Sequence, residues 1–453
     1  MRRVPAFALA LAAVAAAAAG CSGDGPAPSP CTPAHEKSQV LSAARSWYLF
    51  PDLLPAQVDP AAFATAADLL DALTAGARAA GRDRYWSYLT TIQAADQLFG
   101  QGQAVGFGVS LLLRGSQLFV AQVFAGSAAA DAGFTRGDEI LAVGPSAGQL
   151  VPVSDLVAGG TLGASLGPAQ AGVTRTFRVL TAAPATVDRT VTTRVFSLDP
   201  VPGWAVLPRT GLPPAGYLEF RIFVSTADAR LREAFQAFAN AAVSDLVVDL
   251  RYNGGGLVST AQLLANLLGG TSAGQVMYRL ANNPAHATLD ATVHFTAQPQ
   301  SSSPARIAFV TTGRSASASE LVPNALEPYG SVALVGSRSY GKPVGQRLFE
   351  IPGCSSLLAL VSFQLRNAQG DGDYFGGLPD ANFAGPLCQA EDDLLHAQGD
   401  PAEASTAAAL SWLETGTCPS PPVAFRLQRP AAPDGYPAPP RPGLAQIHLP
   451  GLF

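Results

Sequence analysis

Lysine is almost absent from this sequence: Lys37 and Lys342 stand against 26 arginines in 453 residues. Charge of either sign is sparse, at 13% of residues, and the net charge is −5. No basic face can be assembled from 28 scattered cations, which argues against a nucleic-acid partner. Histidine and cysteine number five each, and no CxxC spacing exists, so neither a zinc site nor any other metal or cofactor is expected. Past residue 21 no stretch offers the roughly 18 uninterrupted apolar residues that a membrane-spanning helix needs.

Apolar residues are plentiful, at 48%, enough for two or three cores and therefore several domains. The start reads as an export signal. Arg2 and Arg3 precede an Ala/Leu-rich run from Phe7 to Ala19 that ends in "AAGC". Cys21 directly after "AAG" resembles a bacterial lipoprotein box with Ala18 in place of the usual Leu, which implies lipidation of Cys21 and attachment to a membrane only through that lipid. Residues 22–35 form a Pro-rich tether. The remaining cysteines, Cys31, Cys354, Cys388 and Cys418, are even in number in an exported chain and allow three pairings. The pairing expected first is Cys354 with Cys388 and Cys31 with Cys418.

The pattern along the chain predicts a multidomain α+β protein. Helical spacing in 36–100, as in "AAFATAADLLDALTAGARAA", predicts a helical N-terminal unit. Short β-like runs broken by glycine, "VGFGVSLLL", "QLFVAQVF", "EILAVG" and "TRTFRVL", predict a β domain over 101–200. Strand and helix patterns then alternate through 201–415 ("DLVVDLR", "RIAFVTT", "VALVG"), which predicts an α/β core with largely parallel strands. Residues 416–453 read as a Pro-rich tail.

Within the β domain, "AGSAAADAGFTRGDEILAVG" together with "VGFGV" resembles a PDZ domain. In that reading Val105, Gly106, Phe107 and Gly108 form a loop whose amides receive a peptide carboxylate while the peptide adds as a strand. The plainer alternative is a sheet that only packs against its neighbour.

Three patterns offer a serine or lysine for chemistry, and each lacks its context. "GTSAG" (270–274) has the form of a nucleophile elbow, but a helix pattern precedes Ser272 and a strand pattern follows, the reverse of what an elbow needs. "GSRSYGKP" (336–343) has Pro343 where a phosphate loop needs Ser or Thr, and Pro343 and Gly345 oppose the helix. "SYGK" (339–342) has the form S-x-x-K without the helix or the K-T-G that accompany it.

Lys342 survives these exclusions. Arginine stays protonated up to about pH 12, whereas the pKa of a buried lysine can fall to about 7 to 8, so a site that needs a neutral amine must use lysine. The stretch "SYGKPVGQ" contains no acid that would hold the proton on. Upstream, "GRSASASE" (313–320) carries Ser315, Ser317 and Ser319 on alternate positions. Ser317 with Glu320 fits an S-x-x-E capping box, and a serine at a helix start is also well placed for attack. Spacing alone leaves the three serines open.

"DLRYNGGG" (249–256), "GRSASASELVPNAL" (313–326) and "ALVGSRSYGKPVGQ" (333–346), in that order after a PDZ-like segment, resemble the carboxyl-terminal processing peptidases, or tail-specific proteases, over roughly residues 36–415. The resemblance implies a protease core of the ClpP/crotonase-like type, with Ser317 as nucleophile, Lys342 as general base and Gln346 orienting the amine. It places the oxyanion donors at the amides of Ala318 and Gly256. It further implies an exported endopeptidase of the periplasm or cell envelope acting on proteins with exposed C-terminal tails, with a gated or inactive peptide-binding lipoprotein as the alternative. Tyr252, Arg314 and Pro343 depart from the family pattern.

Overall fold

The computed structural model describes residues 31–420. The signal-like start, Cys21, most of the tether and the tail from 421 lie outside the described residues. Near the start come helices α1 (Pro33–Trp47) and α2 (Ala66–Leu73) and strand β1 (Tyr88–Thr91). Thr32 caps α1 through the His35 amide at 3.1 Å, with Pro33 as the first helical residue. Next is an antiparallel unit: β2 (Gln103–Gly106), β3 (Val109–Arg114), β4 (Gln117–Val123), β5 (Glu139–Gly144), β6 (Thr174–Leu180), β7 (Thr186–Thr192) and β8 (Arg194–Ser197). Its main sheet runs β3-β4-β5-β6-β7, so β3 is an edge, while β2 pairs with β8.

The largest unit contains β9 (Gly203–Arg209), β10 (Leu212–Glu219), α3 (Ala227–Asn240), β11 (Asp245–Asp249), α4 (Val258–Leu268), β12 (Val276–Asn282) and β13 (Ala291–His294). After these come β14 (Arg306–Thr311), α5 (Ala318–Leu326), β15 (Ser331–Gly336), β16 (Val344–Glu350), β17 (Ser356–Arg366), β18 (Leu387–Gln389) and α6 (Ala404–Thr415). Its central sheet has the order β9-β10-β11-β14-β15-β18, parallel except for the β9/β10 hairpin.

Both faces of that sheet are covered, which is why its strands read as continuous apolar runs and not as alternations. Leu246, Val248, Phe309 and Leu334 face α3, α4 and α5 in one cluster. Val247, Ala308, Val310 and Val335 face α6 in another. Helix α6 ends on Gly416 in the left-handed region, φ +74°.

The N-terminal helices do not form a separate layer. Strand β1 pairs with β17 in a second sheet, β1-β17-β12-β13, with β16 along the other edge of β17. Val40, Tyr48, Leu69 and Trp86 share one apolar cluster with Val344, Leu358 and Leu360. Residues 33–91 therefore buttress β16 and β17, beside Lys342.

The disulfides correct the expected pairing. Cys31 bonds Cys354, and Cys388 bonds Cys418, each with Cα atoms 4.9 Å apart. The reason lies in the topology. Cys354 sits in the β16/β17 turn, where the start of α1 packs, whereas Cys388 lies on β18 beside α6. Among the described residues no helix is long and apolar enough to cross a membrane.

Candidate active site

Three adjacent parallel strands, β11, β14 and β15, deliver "RYNGGG", "GRSASAS" and "SRSYGK" at their carboxyl ends. Loops at that edge of an open α/β sheet are where ligands bind in this architecture. Ser317, Ala318, Leu321, Lys342, Val344 and Tyr374 line one cavity there. The rejected patterns lack their contexts in the fold as well. Ser272 lies in a turn between α4 and β12, and an irregular loop, not a helix, carries Ser339 to Lys342.

The fold separates the three serines. Ser315 is fully buried and donates its hydroxyl to the Leu250 carbonyl at 2.7 Å. Ser319, also buried, donates to the Asn253 carbonyl at 2.8 Å. Both hydroxyls thus bolt the serine block to the glycine turn. Ser317 alone is partly exposed and lies on the cavity. Its backbone is strained, φ +58° and ψ −114°, a region that a non-glycine residue keeps only where its surroundings impose it. The carboxylate half of the capping box forms, with the Ser317 amide donating to Glu320 Oε2 at 2.8 Å. The Glu320 amide is taken by the Ser317 carbonyl at 2.8 Å.

Lys342 is 2% exposed, and its Nζ donates to Gln346 Oε1 at 3.1 Å. Gln346 in turn donates to the Trp86 carbonyl at 2.9 Å. Burial pushes the amine down to about 8, while the negative charges of Asp83 and Glu320 pull the other way. The sequence predicts no carboxylate near this lysine, and tertiary contacts supply two. Glu320 accepts the amides of Gly341 at 2.6 Å and Lys342 at 2.8 Å and the Ser339 hydroxyl at 2.5 Å. Asp83 accepts from Tyr48, Ser87 and the Trp86 amide. Arg84 holds the same loop by its carbonyls, donating to Tyr340 at 2.9 Å and Gly341 at 2.6 Å, with its guanidinium 4.2 Å from the Tyr340 ring centroid.

The glycine turn lies against the serine. A Cβ at Gly255 would come within 2.9 Å of Ser317 Cβ and of the Ala318 nitrogen, and φ there is +99°. Only glycine allows that approach. The Gly255 amide is engaged by Asn253 Oδ1 at 2.9 Å. Gly256, φ +139°, faces Phe223, and that bridge uses the Gly255 carbonyl and the Leu257 amide, leaving the Gly256 amide out of the pairing.

Of the expected site residues, the fold brings Ser317, Ala318 and Lys342 to the cavity, sets Gln346 on the lysine and packs the Gly255–Gly256 turn against the serine. Val105 to Gly108 belong to the antiparallel unit instead, and Cys21 lies outside the described residues. Val105 and Gly106 pair with Val195 and Arg194, and the Phe107 side chain is buried in that unit's core. The sequence reading missed Asp83, Arg84, Trp86 and Ser339. The signal for the first three, "DRYW", lies about 250 residues from Lys342, and nothing local ties the two together.

Comparison with known proteins relates the chain to a family of peptidases. Residues 214–380 match the model of peptidase family S41, and residues 35–88 match the peptidase S41 N-terminal domain. A carboxyl-terminal-processing protease of Synechocystis is 25% identical over 289 residues, 64% of either chain. Carboxyl-terminal-processing peptidase 3, chloroplastic, of Arabidopsis thaliana is 29% identical over 181 residues, 39% of this chain and 34% of that one. The matched stretches thus span under two thirds of both relatives. A solved structure from Bacteroides fragilis classed with the S41 proteases shares the fold, with TM-score 0.65 and 22% identity over 86% of this chain and 99% of its own. By these matches the chain is similar, over residues 35–88 and 214–380, to the S41 family of serine-type peptidases.

Proposed function

We propose that this protein is an exported serine endopeptidase that cleaves protein substrates after engaging an unstructured or apolar C-terminal tail. One observation carries the reading: of three alternate serines, the one whose hydroxyl is not used on the glycine turn shares a cavity with a buried lysine whose amine is pushed down to about 8.

The chemistry follows from these groups. The neutral Lys342 amine takes the Ser317 proton as Oγ adds to the scissile carbonyl carbon. The amides of Ala318 and Gly256 receive the oxyanion. Collapse breaks the C–N bond, the leaving amine takes the proton from the Lys342 ammonium, and an ester remains on Ser317. Water then gives a proton to Lys342 and adds to the ester carbonyl. The second collapse frees the carboxylic acid product, and Ser317 Oγ recovers the proton. Gln346, anchored on the Trp86 carbonyl, keeps the amine aimed.

The antiparallel unit, read as PDZ-like over 101–200, is assigned the tail. The loop Val105–Gly108 turns the carbonyls of Phe107 and Gly108 inward onto the amides of Ala129 and Phe124, each at 2.9 Å. It leads into β3, an edge strand along which a tail can add. Lipidation at Cys21 would hold the enzyme at a membrane surface of the periplasm or cell envelope. The core is read as residues 201–415 and the helical unit as 36–100.

The test is cleavage of an unfolded protein, with and without an apolar C-terminal tag, by residues 22–453 in wild-type, Ser317→Ala and Lys342→Arg forms. Cleavage by wild type alone, faster with the tag, is expected. Binding of tagged peptide without cleavage by any form would favour a gated or silent binding lipoprotein, and full activity in Lys342→Arg would sink the Ser/Lys mechanism.

A further inference from the structure

Tyr252 lies between β11 and the glycines, and neither the fold nor the chemistry above explains its side chain. Its backbone is left-handed, φ +63°. A bulky residue persists there only where contacts over-determine it, and glycine would adopt it freely. The contacts are unusually complete.

The ring is 3% exposed and packs with Leu112 and Ala121 of the antiparallel unit and with Leu394. The phenol donates to Asp392 Oδ2. Arg136 Nη1 donates to the phenolic oxygen at 3.2 Å, and Nη2 pairs with Asp392 Oδ1 at 2.9 Å. Arg136 belongs to the antiparallel unit, where it also donates to the Ala121 carbonyl at 2.7 Å. Asp392 follows β18 and is reached from the core by Arg251 at 3.4 Å. Three separate segments therefore meet at one phenol.

The following residue carries this grip to the nucleophile. The Asn253 carbonyl accepts the Ala316 amide at 3.0 Å and the Ser319 hydroxyl at 2.8 Å, so it holds the chain on both sides of Ser317. Its Oδ1 accepts the Gly255 amide at 2.9 Å. A rotation of the backbone at 252 must move Asn253 and, through it, the direction of the Gly256 amide.

We propose that Tyr252 is a positioning residue: its phenol, clasped by Asp392 and Arg136, fixes the left-handed turn that aims the Gly256 amide at the oxyanion, which makes the docked antiparallel unit part of the catalytic scaffold. This rests on the reading of Ser317 as nucleophile and Gly256 as oxyanion donor. A clasp that only fastened two units together would change the melting temperature and leave turnover by the folded enzyme untouched.

The experiment measures kcat, KM and melting temperature with one short fluorogenic peptide for the full mature chain as wild type, Tyr252→Phe, Asp392→Asn, their double variant and Ser317→Ala. Tyr252→Phe keeps the ring and loses the clasp. It is expected to lower kcat about ten- to a hundredfold, the scale on which misplacing a catalytic group acts, with KM within about twofold. The double variant should be no slower than the slower single, because both changes break the same clasp. Should Asp392→Asn fail to fold, Arg136→Gln takes its place in the cycle. Wild-type kcat in Tyr252→Phe, or losses that multiply in the double variant, would overturn the proposal. Cleavage that survives Ser317→Ala would instead overturn the nucleophile assignment, and this proposal with it.

Discussion

Glu320 and Lys342 meet through the main chain: Glu320 Oε2 accepts the Lys342 amide at 2.8 Å, and the same oxygen accepts the Ser317 amide at 2.8 Å. One buried carboxylate thereby sets the spacing of the two residues assigned the chemistry. Burial raises its pKa, against the pull of the Ser339 hydroxyl and the three amides.

Replacing that carboxylate by its amide turns an NH2 group toward donors. Glu320→Gln should lower stability by about 1–3 kcal/mol, the cost of leaving buried donors unpaired. It should lower kcat by about a hundredfold through misplacement of Ser317 relative to Lys342. A thermal melt beside a peptide assay separates the two effects, and wild-type kcat would exclude a positioning role for Glu320.

The three serines should divide sharply. Ser317→Ala should abolish turnover and leave the melting temperature nearly unchanged. Ser315→Ala and Ser319→Ala each remove a buried hydrogen bond to a turn carbonyl and should cost about 1 kcal/mol of stability while turnover persists. Inactivity of well-folded Ser319→Ala with an active Ser317→Ala would reverse the assignment.

With Lys342 as the proposed base, both activity and stability should depend on pH, with a definite sign. The active amine is neutral, so kcat/KM should rise about tenfold per pH unit below 8 and level off above it. The unfolded chain keeps its proton up to the ordinary lysine value of 10.5, whereas the folded chain releases it near 8. Unfolded molecules bind more protons across that window, so folding stability should rise from pH 8 to 10.5. The full effect is about 3 kcal/mol, at 1.36 kcal/mol per unit. Lys342→Met should lack this component, so the difference between the two melting curves against pH isolates it. Parallel curves would contradict the downward shift.

The Cys388–Cys418 bridge closes a chain separation of 30 residues and ties β18 to the end of α6. Changing both cysteines to serine should lower stability by about 3–4 kcal/mol through the freed unfolded chain. Activity measured well below the melting temperature should persist, since neither cysteine lines the cavity. Loss of turnover at full foldedness would mean that α6 acts on the site.

Much of this protein was legible in one dimension because the information was local. Alternating strand and helix patterns marked the parallel core, glycine-broken runs marked the antiparallel unit, and "GRSASASE" with "SYGKPVGQ" marked the residues proposed for the chemistry in a chain that has only two lysines. The disulfides were misread because pairing depends on which turn meets which helix. Spacing does not encode that: Cys354 meets Cys31 across 323 residues.

By itself, then, the sequence determined the types of element, their order and the residues proposed for acyl transfer. Periodicity and side-chain chemistry are properties of short segments. Only the tertiary structure shows that the hydroxyls of Ser315 and Ser319 are spent on the turn carbonyls of Leu250 and Asn253, which sets Ser317 apart from them. It also decided that Trp86 anchors Gln346 and that Tyr252 meets Arg136 and Asp392. Hydrogen bonds and desolvation act over a few ångströms of space, and residues that lie hundreds of positions apart come within that range only once the sheets are assembled.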